Sequence, residues 1–274
     1  MTASITAEPV LSESSVGSSK RFEGFAANIE NEVDDEVEDV LADAEPSFDP
    51  EVELVLERAR GYLGTTEALQ AIRTLYYEGS IRNHKGQLQA NLIIYLKKPF
   101  FQRIEIIKDD YTDIEASNGY VGWKQRDHVE KPADYRPGAW LITMPPKVLR
   151  KMRITAWENL NFFENIEAID GRVSSKGLTP FEGRPADLLL FEHDTGDVYN
   201  RYFDPTTGQL LATESSPGNI VKELGEQAVQ NIRFPKQLHY YQNAQLNIIV
   251  TFDRIEINRS FADNFFEHPM FHVR

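Results

Sequence analysis

Cysteine is absent from this chain. That excludes disulfides, thiolate nucleophiles, Cys-ligated metals and a lipid-modified N-terminal cysteine. No run of eighteen apolar residues occurs, so no segment spans a membrane as a helix. The first thirty residues lack a basic stretch followed by an apolar one, so no secretion signal is visible. A chain without cysteine suits the cytosol and the periplasm equally. Also missing are a Gly-rich phosphate loop, a G-x-S-x-G elbow and an H-E-x-x-H pair. A basic footprint for nucleic acid is missing too: the net charge is −14.

That charge is unevenly placed. Residues 1–50 carry thirteen acids against only Lys20 and Arg21, a net −11, which leaves −3 for the rest. Residues 1–48 have few large apolar side chains and a dense acidic run from Glu30 to Asp39. Such a segment cannot bury enough surface to offset its own ordering, and disorder is expected. A short helix over Asn31–Ala44 is the alternative, because Val33, Val37, Val40 and Leu41 have helical spacing.

Order is expected from Asp49-Pro50, a good N-cap followed by a good first helical residue. Val52, Val55, Leu56, Ala59 and Leu63 then recur at helical spacing, with Gly61 and Gly64 as stop signals. Thr65 or Thr66 caps a second short helix through Ala68, Leu69 and Ile72. From Leu75 the period changes to two. Leu88, Ala90, Leu92, Ile94 and Leu96 form one apolar face of a strand that follows the turn His84-Lys85-Gly86. Further strands are expected over Phe100–Lys108, Asp113–Ser117 and Tyr120–Gln125, the last two joined at Asn118-Gly119. Pro132, Pro137, Gly138, Pro145 and Pro146 mark a loop region. Lys147–Ile169 reads as helical, with a break at Asn161-Phe162-Phe163. Strands resume over Asp187–His193, Val198–Phe203, Gln209–Glu214, Ile232–Tyr241 and Gln245–Ile257. The absence of strand–helix alternation excludes a doubly wound sheet, and the pattern predicts an antiparallel sheet or barrel.

Candidates for chemistry are sparse. The six histidines are scattered. His268 and His272 have a metal-compatible spacing, but Pro269 lies between them, and a polar tail is the simpler reading. His193-Asp194 sits at a hairpin edge, where neighbouring side chains point to opposite faces, so it reads as turn polarity. Glu164 and Glu167 read as a solvated helix face. Lys147, Arg150, Lys151 and Arg153 form a basic cluster before Trp157 that could touch anionic lipid or nucleic acid. The simpler reading is the polar face of a helix.

Several segments, taken in order, resemble the lipoprotein-carrier superfamily, the LolA/LolB-like outer-membrane lipoprotein-sorting proteins. Tyr95-Leu96-Lys97-Lys98-Pro99-Phe100-Phe101 is similar to a family strand end in which a basic residue and Pro precede aromatics. Asn118-Gly119-Tyr120-Val121-Gly122-Trp123 is similar to its Asp-Gly-x-x-x-Trp hairpin. Leu178–Ala186 with its Gly183-Arg184 and Phe203–Leu210 resemble segments of the broader relatives. So do Phe234-Pro235, Ile255–Asn258 and the tail Phe261–Pro269.

The resemblance covers about residues 52–270. It implies a mainly β (α+β) fold over 49–274: an open, incompletely closed antiparallel β-barrel with an N-terminal helix and a helical lid. It further implies a periplasmic, non-enzymatic carrier or chaperone, without cofactor. Its partner would be a lipid or lipoprotein acyl chain, or an envelope protein. The family's lid arginine is Lys98 here, which lacks the planar fork of a guanidinium. Candidate groove residues are Leu92, Ile94, Phe101, Ile104, Ile106, Trp123, Trp157, Leu188, Leu190, Ile248 and Val250, with Lys98 at the rim. The alternatives are a non-catalytic interaction or envelope-sensor module on the same fold, and an enzyme acting on a hydrophobic substrate in the cleft.

Overall fold

A computed structural model describes residues 49–130 and 141–269. The expectations for residues 1–48, for Pro132, Pro137 and Gly138, and for His272 lie outside the described residues.

The first helix, α1 (Pro50–Leu63), starts where Asp49 predicts. The Asp49 carboxylate accepts from the Glu51 amide at 3.0 Å, and Val52, Val55, Leu56, Ala59 and Leu63 are its buried face. The helix runs through Gly61 and ends at Gly64. A short α2 (Thr66–Gln70) follows, with the Thr65 hydroxyl accepting from the Ala68 amide.

Among the described residues, thirteen strands follow. They are β1 (Thr74–Asn83), β2 (Leu88–Lys97), β3 (Phe101–Ile107), β4 (Tyr111–Ser117), β5 (Gly122–His128) and β6 (Leu141–Thr143). After helix α3 (Pro146–Asn161) come β7 (Gly171–Phe181), β8 (Arg184–His193), β9 (Val198–Phe203) and β10 (Leu210–Ser216). The last three are β11 (Asn219–Val229), β12 (Ile232–Gln242) and β13 (Gln245–Ile257). They form one antiparallel sheet in the order β6-β5-β4-β3-β2-β1-β13-β12-β11-β10-β9-β8-β7, with β6 and β7 as its two edges. Among the described residues, no helix is long and apolar enough to cross a membrane.

The sheet must curl. β5 and β9 stand nine places apart in the strand order, roughly 43 Å on a flat sheet at ~4.8 Å per strand. Yet α3 reaches both. Its Leu149 lies against Gly122 of β5, and its Glu158 meets Arg201 of β9. Those two residues of α3 are only about 14 Å apart along the helix. The sheet therefore wraps around α3 without closing.

Register assigns side chains to two faces. α1 and α3 pack on the enclosed face. The outer face of β2, β3 and β5 is covered by residues 259–269, whose Phe261, Phe265 and Phe266 pack on Tyr95 and Phe101. The motif residues mostly build this frame. The Asn258 side chain accepts from the Arg73 amide at 2.7 Å and donates to the Ala71 carbonyl, fixing the start of β1. Asn118 and Asp204 cap their turns by accepting from the backbone amides that follow.

α3 stops at Asn161, at the expected break, because Phe162 and Phe163 take left-handed backbone to bury their rings; a separate 3-10 turn covers Ile166–Ile169. Strands β7 and β11 are not evident in sequence. Neither GRVSSKGLTPF nor NIVKELGEQAV alternates cleanly, and pairing with their neighbours makes them strands.

Gly79 sits at a bulge where β1 meets β13, and a Cβ there would lie 2.0 Å from the Thr251 carbonyl oxygen. Gly79→Ala is expected to destabilise the fold by about 3 kcal/mol, the upper end of an overpacking cost. A urea melt reads this directly, and an unchanged midpoint would refute the packing described.

Candidate functional site

Cross-strand register lines up apolar side chains on the enclosed face in rows. One row is Leu238, Val250, Ile81 and Ala90. The next is Phe252, Gly79, Leu92 and Ile106, and the third is Ile255, Tyr77, Ile94 and Ile104. The strip crosses β12, β13, β1, β2 and β3, a width of roughly 19 Å. Charge bounds it on both sides. Beyond Leu238 the register reaches Glu223 of β11, whose carboxyl is pushed up by burial. The row of Ile106 continues into Asp113 and Arg126, which pair through two bonds of 2.7 and 3.0 Å. The row of Ile104 continues into Glu115 and Lys124. Burial pushes the Glu115 carboxyl up, against the pull of Lys124.

One end of the strip lies beneath α3, where Leu96, Gln102, Ser117 and Gly122 are buried. The other end, toward the β1–β2 turn, is more open. Ile81, Ile106 and Ile248 are half-buried there, while Leu92 and Val250 further in are buried. A separate shallow cleft lies between α1 and β11–β12, lined by Tyr62, Leu63, Glu223 and Phe234 among others. It is too small to be an ordinary ligand pocket of ~300–1,000 Å³.

Of the eleven predicted groove residues, Leu92, Ile94, Ile104, Ile106, Ile248 and Val250 come together on this strip. The other five do not join them. Phe101 and Trp123 point to the outer face, under the C-terminal segment. The Phe101 ring meets Phe266 at 5.4 Å, and the Trp123 indole N–H donates to the Phe266 carbonyl at 3.1 Å. Leu188 and Leu190 also face outward, opposite Tyr202 and Asn200. The inward residues of that strand are Leu189 and Phe191, both fully buried. A run of three leucines has no alternation, so its parity cannot be read from sequence. Trp157 is half-buried on α3, stacked on Phe100 at 5.4 Å, and its indole donates to the Asn165 carbonyl.

Lys98 lies in the β2–β3 turn, half-buried. Burial, and then the neighbouring Arg73, lower its ammonium pKa. Among the described residues its ammonium forms no ion pair. α3 is fastened by other groups. Lys151 pairs with Asp197 at 2.7 Å and Arg150 with Asp194 at 3.2 Å. Beyond the helix end, Glu164 takes Arg60 of α1 at 2.8 Å, so Glu164 is not a solvated carboxylate.

The strongest fastening was not foreseen. Glu158 on α3 is buried, with one oxygen 2.7 Å from the Arg201 guanidinium and the other 3.2 Å from the His193 ring. Arg201 also lies 4.0 Å from the centre of the Phe191 ring, a favourable place for a desolvated cation. His193 is thus a core residue rather than turn polarity, while its neighbour Asp194 points the opposite way to Arg150. The available signal was Arg201 itself, a charge between Tyr199 and Phe203 at an inward position of an alternating strand. Burial alone would raise the Glu158 carboxyl, but Arg201 and His193 outweigh it and hold it down at about 2.

No family model matches this sequence, and no curated protein matches it. Solved structures do. A DUF1329 family protein from Desulfovibrio piger aligns with 79% of this chain and 97% of its own, at 12% identity and a TM-score of 0.51. A domain named for outer membrane lipoprotein sorting, from Vibrio parahaemolyticus, aligns at 10% identity over 78% and 96%, with a TM-score of 0.45. A LolA superfamily protein from Nitrosomonas europaea gives 9% identity over 78% and 96%, with a TM-score of 0.48. The chain is similar in fold to the DUF1329 family protein; here that fold is a curled, unclosed antiparallel sheet with helices on its enclosed face.

Because the folded pKa of Glu158 is depressed, its stabilisation is fully present above the ordinary carboxylate pKa of about 4.5 and lost as pH falls toward about 2. Glu158→Gln leaves Arg201 buried without a countercharge and is expected to cost about 3 kcal/mol at neutral pH. It should also flatten the loss of melting temperature between these pH values. A variant with an unchanged acid limb would refute this role.

Proposed function

We propose that this protein holds a hydrophobic ligand, the acyl chain of a lipid or lipoprotein, against the apolar strip of its curled sheet. The observation that carries the proposal is the register. It places apolar side chains continuously across five neighbouring strands of the enclosed face, with charge only at the borders, on β4–β5 and at Glu223 of β11. Acyl chains need no directional partner, because each buried methylene contributes about 0.8 kcal/mol. The half-buried end at Ile81, Ile106 and Ile248 is the proposed entry, and α3 is the proposed lid. Fastening by Glu158, Lys151 and Arg150 takes the place that the resemblance gave to Lys98.

The resemblance of the sequence segments to lipoprotein carriers supports a carrier, and a periplasmic location follows from that reading. The proposed role is non-catalytic. The buried group of titratable side chains on the enclosed face, Glu158, His193 and Arg201, is committed to holding α3.

Native mass spectrometry of protein taken from cells should show co-purifying lipid, and a fluorescent fatty acid should bind. Ile106→Gln and Ile248→Gln are each expected to weaken that binding about tenfold, the loss of one or two buried methylenes. Leu188→Gln, on the outer face, should leave it unchanged. Absence of both lipid and probe binding, or equal losses in all three variants, would remove the carrier reading.

A further inference from the structure

A surface at one end of the barrel is used by neither the strip nor the lid fastening. It is assembled from the α2–β1 junction, the β2–β3 turn, the β4–β5 hairpin and α3. Phe100 in the β2–β3 turn is its centre. The Trp157 ring stacks on it, the Arg153 guanidinium lies 4.5 Å from its ring centre, and Gly119 approaches so closely that a Cβ would be 3.0 Å from the Phe100 Cβ. Beside Gly119, Tyr120 is 80% exposed and Val121 40%. Lys98 and Arg73 adjoin through the backbone bond from the Lys98 amide to the Arg73 carbonyl.

Cations predominate at this surface. Among the described residues, Arg73, Lys98 and Arg153 form no ion pair. Arg73 donates to the Gln70 carbonyl, and Arg153 lies on an aromatic ring. The Glu164 carboxylate also attracts the Lys98 ammonium, but its ion pair is with Arg60, and Asp263 is paired with Lys97. Elsewhere on α3, the cations Arg150 and Lys151 are neutralised by Asp194 and Asp197. Unpaired cations in a chain of net charge −14, set beside a solvent-facing Tyr and Val and a half-exposed Trp, have the make-up of a bilayer-interface contact. Aromatic rings settle at headgroup depth, and each cation near an anionic surface contributes about 1 kcal/mol.

We propose that this end of the barrel, centred on Phe100 with Arg73, Lys98, Arg153, Tyr120 and Val121, docks on the surface of an anionic lipid bilayer. Docking is a property distinct from ligand holding, and it would bring the lid helix to the membrane.

Co-sedimentation of the full chain with phosphatidylcholine vesicles, with and without added phosphatidylglycerol, tests this. Binding is expected only with phosphatidylglycerol and should weaken as salt rises. The triple variant Arg73→Gln, Lys98→Gln, Arg153→Gln should bind on the order of a hundredfold more weakly. Tyr120→Ser with Val121→Ser should bind more weakly as well. Arg82→Gln with Lys85→Gln, at the opposite end of β1 and β2, should bind as the parent does. Thermal melts establish that each variant is folded. No binding to either vesicle, equal binding to neutral vesicles, or undiminished binding by the triple variant would each overturn the proposal. Fatty-acid probe binding measured without vesicles reports ligand holding separately, so either property can fail while the other stands.

Discussion

A sheet of thirteen strands with two free edges has no intrinsic reason to stop curling at a particular radius. Here α3 sets it. Its N-terminal half rests on β5, and its C-terminal half is tied by Glu158 to Arg201 and His193, from the other end of the sheet. The tie is strong because it is buried. The Glu158 carboxylate is shielded from bulk solvent, so it either keeps Arg201 or the helix leaves. The enclosed face, the position of the apolar strip beside α3 and the gap between β6 and β7 all follow from that one cross-link.

Division of labour between the two faces follows from the same geometry. The enclosed face carries the apolar rows. The outer face of β2, β3 and β5 would expose Tyr95, Phe101 and Trp123, and the C-terminal segment covers them with its own phenylalanines. A sheet apolar on both faces needs two covers. The chain supplies helices for one and its last turns for the other, so aromatic richness in the sequence reports outer packing as much as it reports a groove.

Much of the fold was legible because it is governed by local rules. The period-two alternation of Leu88–Leu96 fixed both the strand and its inward face. Asp49-Pro50 fixed the start of α1, and Asn118-Gly119 and Asp204–Gly208 fixed their turns. Where the local signal is weak, a different force decides. Phe162 and Phe163 end a helix that their neighbours would continue, because two rings gain more from burial than the backbone loses by turning left-handed. β7 and β11 are strands because β8, β10 and β12 offer them unpaired backbone.

For the candidate site, clear alternation in sequence groups residues that the structure puts on one face. Leu92 and Ile94 belong to one parity of a strand, and the strip gathered them with Ile104, Ile106, Ile248 and Val250. Leu188 and Leu190 sit in an unbroken leucine run, where either parity fits the sequence equally well, and only the pairing of β8 with β9 turned Leu189 inward. Phe101 and Trp123 are apolar enough for any core; the existence of a second core on the outer face assigned them. The sequence alone therefore determined the strand-rich class, the helix and turn boundaries with strong caps, and the uneven placement of charge, all properties of residues a few positions apart. The tertiary structure decided which face each ambiguous residue serves. It also decided that Glu158, His193 and Arg201, from three separate elements, meet as one buried charge cluster. Burial and pairing depend on what a distant part of the chain brings into contact.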